Sequence, residues 1–177
     1  RVGIFLAVAA CGAFEACAVA FPADCKATIT VPQSMTLGTI RLKGNGADVT
    51  IVSAGGDKGI VLSPYAIENE TRTAEAKITF ENLTLNFPNK ETNPGAYNTV
   101  VFRNCDVTFN TSVNARYNHT RMILENSTAL TTGSLRVGGA DSCVLISNSV
   151  FTSKSAVCLG NTTAGGTIRF EGENPVL

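Results

Sequence analysis

Apolar side chains recur along this chain with two periods, one nested in the other. The short period is two. In "VVFRNCDVTF", Val100 to Phe109, every second residue is apolar up to Asn104, and the alternation resumes beyond it. "KITFENLTLN" from Lys77, "RMILENSTAL" from Arg121 and "CVLISNSVFT" from Cys143 repeat that arrangement. The long period is 22 positions: Asn82, Asn104, Asn126 and Asn148 are evenly spaced by it, and Gly172 follows after 24. Two residues before each lie Phe80, Phe102, Leu124, Ile146 and Phe170, and four before lie Ile78, Val100, Met122, Val144 and Ile168. Strict alternation of this kind is a strand with one buried face. After the asparagine, Leu85, Val107, Ala129 and Phe151 continue it on a second strand. "SLRVGG", Ser134–Gly139, is matched one period on by "AVCLGN", Ala156–Asn161, which adds a third strand.

Three short strands within one such period leave no room for a helix, and a single unit cannot bury its own apolar face. Stacked neighbours must supply the core. The expected object is all-β: a single-stranded right-handed parallel β-helix of about six coils, with rungs ~4.8 Å apart. Two earlier coils follow the template less closely. "DVTIVS", Asp48–Ser53, places Ser53 at the corner, and "ATITVP" precedes it. Ser63–Ala76 reads as a loop insertion, and Phe87–Asn98 as a Pro/Gly/Asn loop that replaces a clear third strand. Residues 21–177 form one β-helix domain in this reading, preceded by a distinct segment, 1–20.

That first segment, "RVGIFLAVAACGAFEACAVA", joins a basic residue to an apolar run and offers Ala18-Val19-Ala20 as a small-x-small cleavage site. It reads as a secretory signal peptide, as a retained apolar segment packed on the domain, or, through "VAACG", as a lipobox with Cys11 lipidated. Glu15 and two glycines interrupt the run, which argues against a transmembrane span.

Charge and composition narrow the function. Fourteen basic residues balance fourteen acidic ones, whereas a nucleic-acid binder carries a clustered basic excess. Of the six cysteines, Cys11, Cys17, Cys25, Cys105, Cys143 and Cys158, none forms a CxxC pair, and His119 is the one histidine. A zinc site is therefore not expected, nor any other metal or cofactor. Disulfides fit a secreted chain, but spacing does not fix their connectivity. Cys105 falls in the inward column Leu83, Cys105, Ser127, Ser149 and reads as a buried thiol, while Cys143 and Cys158 point outward on different strands.

The pattern resembles the parallel β-helix proteins of the pectin-lyase-like class over about Thr28–Leu177. The likeness rests on the 22-residue period and the stacked corner asparagines. The short F-x-N repeats also resemble those of microbial surface adhesins and of trypanosome dispersed-gene-family surface proteins. Such resemblance implies architecture more than activity, because the fold carries lyases, hydrolases, tailspikes and adhesins alike.

The columns differ in the chemistry they offer. A short amide tolerates a left-handed corner, so Asn82, Asn104, Asn126 and Asn148 are expected to form a structural ladder. Six N-x-S/T sequons occur where composition alone predicts about three. Asn69, Asn110, Asn118 and Asn161 lie in expected loops and are the glycan-acceptor candidates, whereas Asn82 and Asn126 belong to the ladder. Glu81, Arg103 and Glu125 alternate in sign and read as an outward charge ladder rather than an acid/base pair. The aspartates are scattered in register, so no residue is assigned a catalytic role. The outward column Val101, Ile123 and Leu145 is apolar and forms a stripe expected to be covered. The last strand, "TIRF", has no capping helix after it, so a further coil or a second copy is expected to meet its open edge.

The functional expectation is a non-enzymatic secreted or cell-surface protein. It would act as an adhesin-like surface for a glycan or receptor, or as a subunit that stacks on itself through its open ends. The alternative is a polysaccharide lyase or glycoside hydrolase, which predicts three acidic groups in one cleft.

Overall fold

In the computed structural model, residues 18–43, 46–88, 92–160 and 165–173 are described. Strands β1 (Val19–Phe21), β2 (Lys26–Val31), β3 (Met35–Leu42), β4 (Asp48–Ser53) and β5 (Val61–Asn69) build the first coils. Next come β6 (Ala76–Glu81), β7 (Thr84–Phe87), β8 (Asn98–Arg103), β9 (Asp106–Phe109) and β10 (Val113–Ala115). Then follow β11 (Arg121–Glu125), β12 (Thr128–Thr131), β13 (Leu135–Val137), β14 (Cys143–Ser147), β15 (Val150–Ser153), β16 (Val157–Leu159) and β17 (Thr167–Glu171). Every strand pairing is parallel. The strands stack in three sheets: β2-β4-β6-β8-β11-β14-β17, β1-β3-β5-β7-β9-β12-β15, and the shorter β10-β13-β16. The chain is a parallel β-solenoid of seven turns, one more than the repeat count indicated. None of the described residues forms a helix long and apolar enough to cross a membrane. The boundary expected at residue 20 falls inside β1, where Val19 and Ala20 pair with Ile40 and Arg41.

The expected columns are the observed registers. Val100, Met122 and Val144 lie side by side on β8, β11 and β14, as do Phe102, Leu124 and Ile146. All six are buried. Phe80 stacks on Phe102 at 5.7 Å and Phe87 on Phe109 at 5.1 Å, and Phe102 meets Phe109 edge-on at 6.0 Å. Each of these rings contributes about 1.5–3 kcal/mol through burial, and the offset and edge contacts add to that.

The corners explain the asparagines. Asn82, Asn104, Asn126 and Asn148 have φ of 56°, 48°, 50° and 46°, the left-handed region that asparagine enters more readily than most side chains. Asn104 Nδ2 donates to Asn82 Oδ1 at 2.7 Å along the stack. At the last corner Gly172 takes the position with φ 95°, and a Cβ there would collide with Asn148 Oδ1. Just inside the corner, the Cys105 N–H donates to Ser127 Oγ at 3.0 Å and the Ser127 N–H to Ser149 Oγ at 2.9 Å. The column read as inward is thus a buried hydrogen-bonded ladder.

Two local expectations are corrected, and two further features of the coils are new. Ser63–Ala76 is not a loop insertion: β5 runs through to Asn69, in register with β3 from Met35–Leu62 to Leu42–Asn69. Ser53 is not a corner but the buried end of β4, paired with Val31, and the turn is made by the longer loop 54–60. The stretch after Ser112 opens with strand β10, so Asn114 is a buried strand residue. Finally, the spacing is not uniform: Asp48 lies opposite Lys77, a longer step than the one that relates Lys77 to Thr99. In Phe87–Asn98 the third strand is reduced to a single bridge, Thr92 to Val113.

Candidate functional site

A cleft of about 230 Å³ with a mixed polar and apolar lining opens on one side of the solenoid, bounded by the tail of β5, Arg72, Asn93, Gly95, Ala96 and Tyr117. Its position follows from a change in cross-section. The nine-residue β5 continues straight where the later coils turn after the four-residue β7, β9 and β12. Between the straight strand and the first turning coil a gap remains.

Asn69 organises both walls. It is 2% exposed. Its Nδ2 donates to the Ala74, Ala96 and Tyr97 carbonyls at 3.0, 3.2 and 3.1 Å, and its Oδ1 accepts the Thr71 N–H at 3.1 Å. The turn after β5 and the loop before β8 are thereby tied to one amide. Behind the loop, Asn98 Nδ2 donates to the Pro94 carbonyl and Thr120 Oγ1 to the Gly95 carbonyl, at 2.6 and 2.7 Å. Asn93 Oδ1 accepts the Gly95 N–H at 3.0 Å, and Gly95 supplies the φ of 84° that this turn needs. The scaffold is therefore stiff, and it presents Tyr117 at the rim, 47% exposed.

Beside the cleft runs a second left-handed column that the sequence analysis missed. Tyr97, His119 and Asp141, spaced by the same period, have φ of 54°, 56° and 56°. The Tyr97 and His119 rings pack at 4.4 Å, and His119 Nδ1 lies 3.4 Å from Asp141 Oδ2. His119, the one histidine of the chain, is half-buried in this stack. The signal was present in the next column, where Asn98, Thr120 and Ser142 repeat at the same interval as buried polar residues.

The charges around the cleft are unevenly matched. Arg41 Nε lies 3.6 Å from Glu68 Oε2 and 3.9 Å from Glu70 Oε1. Arg72 is exposed and has no carboxylate in ion-pair contact among the described residues. Glu68 is the one carboxylate among the residues that line the cleft. The three acidic groups that a lyase or hydrolase reading predicts are not gathered there. Among the described residues no three of His, Cys, Asp and Glu come together to hold a metal ion.

The other singled-out residues fall as follows. Asn69 is corrected from a loop position to a buried strand end whose amide already has partners. Asn110 is half-buried and donates through Nδ2 to Asn86 Oδ1 at 2.9 Å. Asn118 is exposed beside Tyr117 and accepts the Ala140 N–H through Oδ1 at 3.0 Å. Asn161, like Cys11, Cys17 and residues 1–17 as a whole, lies outside the described residues. In the apolar stripe Val101 faces outward yet is 3% exposed, while Ile123 and Leu145 are half-buried. The outward ladder is present: Arg103 reaches Glu125 at 2.8 Å and Glu81 at 3.5 Å.

Cys25, Cys105, Cys143 and Cys158 are all unpaired. Burial pushes the Cys105 thiol up to about 11, and its Sγ–H faces the Phe80 and Arg103 carbonyls at 3.4 and 3.2 Å. Burial also raises Cys143. At Asp106 burial opposes ionisation, but hydrogen bonds from Thr128 and Lys58 outweigh it and hold the carboxyl below its ordinary range.

Comparison with protein-family models, with curated proteins and with solved structures returned no match to this chain. The cleft is therefore read from its own chemistry.

Proposed function

We propose that this chain is a non-enzymatic extracellular or cell-surface β-helix protein whose cleft is an adhesin-like binding site for a glycan. The observation that carries this reading is the cleft itself: an exposed tyrosine and a few polar groups held on a hydrogen-bonded scaffold. Aromatic faces beside amide and guanidinium donors suit a sugar ring, which has an apolar face and a hydroxylated rim. The resemblance of the F-x-N repeats to surface adhesins fits the same reading, as does the exposure of the sequon residue Asn118 next to the cleft. The test is retention of the full chain on an array of immobilised glycans. Tyr117→Ala is expected to lower retention about ten-fold, the effect of losing one good stacking contact. A chain that retains no glycan sinks the proposal.

A second reading has its own observation. On the last described rung, Phe170 is 43% exposed and Leu159 is 61% exposed, although both continue core columns. Another copy of the chain stacked there would bury them and pair the edge of β17 that no described strand meets. Sedimentation velocity of the wild type and of Phe170→Glu decides this: concentration-dependent assembly lost in the variant supports stacking, and a monomer at all concentrations excludes it.

A further inference from the structure

The charge pattern of the cleft narrows its ligand class, on the footing that the cleft is the glycan site proposed above. Glu68 has a basic partner, Arg41 at 3.6 Å, which it shares with Glu70 at 3.9 Å. Arg72 is the unmatched charge among the described residues lining the cleft. It also sits at φ 53°, a left-handed conformation that a long side chain adopts rarely. Backbone strain of this kind clusters at ligand clamps, where the surrounding fold enforces it. Here the enforcement is visible, since Asn69 Oδ1 holds the Thr71 N–H on one side of Arg72 and Asn69 Nδ2 holds the Ala74 carbonyl on the other. Across the cleft, Asn93 uses Oδ1 on the Gly95 N–H. Its Nδ2 has no partner among the described residues and is available to a hydroxyl.

We infer that the cleft takes a sugar that bears a carboxylate. The planar guanidinium fork of Arg72 matches a carboxylate with two parallel hydrogen bonds. The Tyr117 ring meets the apolar face of the same sugar, and the Asn93 amide donates to one of its hydroxyls. A volume of about 230 Å³ is below the ~300–1,000 Å³ of sites that enclose a larger molecule. The ligand is thus a single terminal residue of a glycan rather than a length of polysaccharide.

The experiment compares full-length wild type, Arg72→Gln and Arg72→Gly on one array. The array carries glucuronate-terminated, N-acetylneuraminate-terminated and galactose-terminated oligosaccharides. Retention on one or both acid-terminated sets is expected to exceed that on galactose by about ten-fold. Both variants should abolish that excess, bringing the acid-terminated sets down to the level of galactose. Raising the salt from ~0.05 to ~0.5 M should shrink it as well. Arg72→Gly suits the left-handed backbone, so it keeps the test valid if Arg72→Gln fails to fold by circular dichroism. Equal retention of neutral and acidic glycans, unchanged in both variants, overturns the carboxylate inference and leaves the glycan reading standing. Absence of retention on all three sets removes both. Direct binding of immobilised polyglutamate by a chain that retains no glycan also overturns the inference, in favour of an acidic peptide.

Discussion

The first coils and the later ones solve the same problem with different cross-sections. In the first, β3 and β5 run for eight and nine residues and contribute to a single sheet each time the chain passes. In the later coils the same path is split into a four-residue and a three-residue strand, with a third sheet, β10-β13-β16, between corners. The later coils hold register through repetition, since each core residue lies on its counterpart one period away. The early coils hold it through individual contacts. Lys58, for example, ties loop 54–60 to β9 through Asp106 at 2.9 Å. The lesson is that repetition builds the rod, and the interruption of repetition builds the cleft. The polar groups of the candidate site gather where a straight strand meets the first coil that turns.

The largest expected effect lies in the regular part. Phe102→Ala removes the ring that contacts Phe80, Phe87 and Phe109 and should lower unfolding free energy by about 3–5 kcal/mol. Denaturant unfolding followed by circular dichroism measures it. At the junction, Asn69→Ala leaves the Ala74 and Ala96 carbonyls without the Asn69 amide, while the Tyr97 carbonyl keeps the Ala76 N–H. A loss of about 1–3 kcal/mol is expected, together with loss of glycan retention. A drop in stability with retention intact would separate the cleft from its scaffold and break the comparison.

In the ladder, Asn104→Ala should destabilise by about 1–2 kcal/mol, because alanine is strained at φ 48°. Asn104→Gly should cost less than half of that, since glycine accepts the conformation. Arg72→Gly sharpens the contrast, because relief of the same strain should raise stability by about 0.5–1 kcal/mol while binding falls. A purely structural Arg72 would lose stability in that variant.

The smallest effect concerns pH. Asp106 is held below its ordinary range in the folded chain. Its contribution is therefore present above the unfolded carboxylate value, about pH 4, and lost as pH falls through the lower folded value. Asp106→Asn should cost no more than about 1 kcal/mol at pH 7, because the pair is partly exposed, and the difference should vanish in acid. A gap that persists at low pH would contradict this account.

Much of the rod was legible because its determinants are local and repeated. Phe102 and Asn104 announce a buried position and a left-handed corner in the same order each time. The cleft was not, for physical reasons. Asn69 sits in a sequon and in a polar stretch, and nothing in its neighbours shows that three carbonyls will converge on it. Arg72 and Tyr117 are far apart in the sequence and line one cleft only because β5 runs on where the later coils turn. The column Tyr97, His119, Asp141 shares a backbone conformation but no side-chain chemistry, so an alignment by residue type passes over it. The expected loop at Ser63–Ala76 failed because Pro64 and a cluster of charges obscured an alternation that tertiary pairing with β3 enforces.

The central claim is that the junction cleft is the binding surface. Its most direct test is a titration of the uniformly ¹⁵N-labelled full chain with whichever of the three oligosaccharides retains it best on the array, followed by amide chemical shifts. Shifts confined to 66–72, 92–97 and 116–118 are the predicted result. Shifts centred on Val101, Ile123 and Leu145 or on the last rung, or no shifts at saturating sugar, would contradict it.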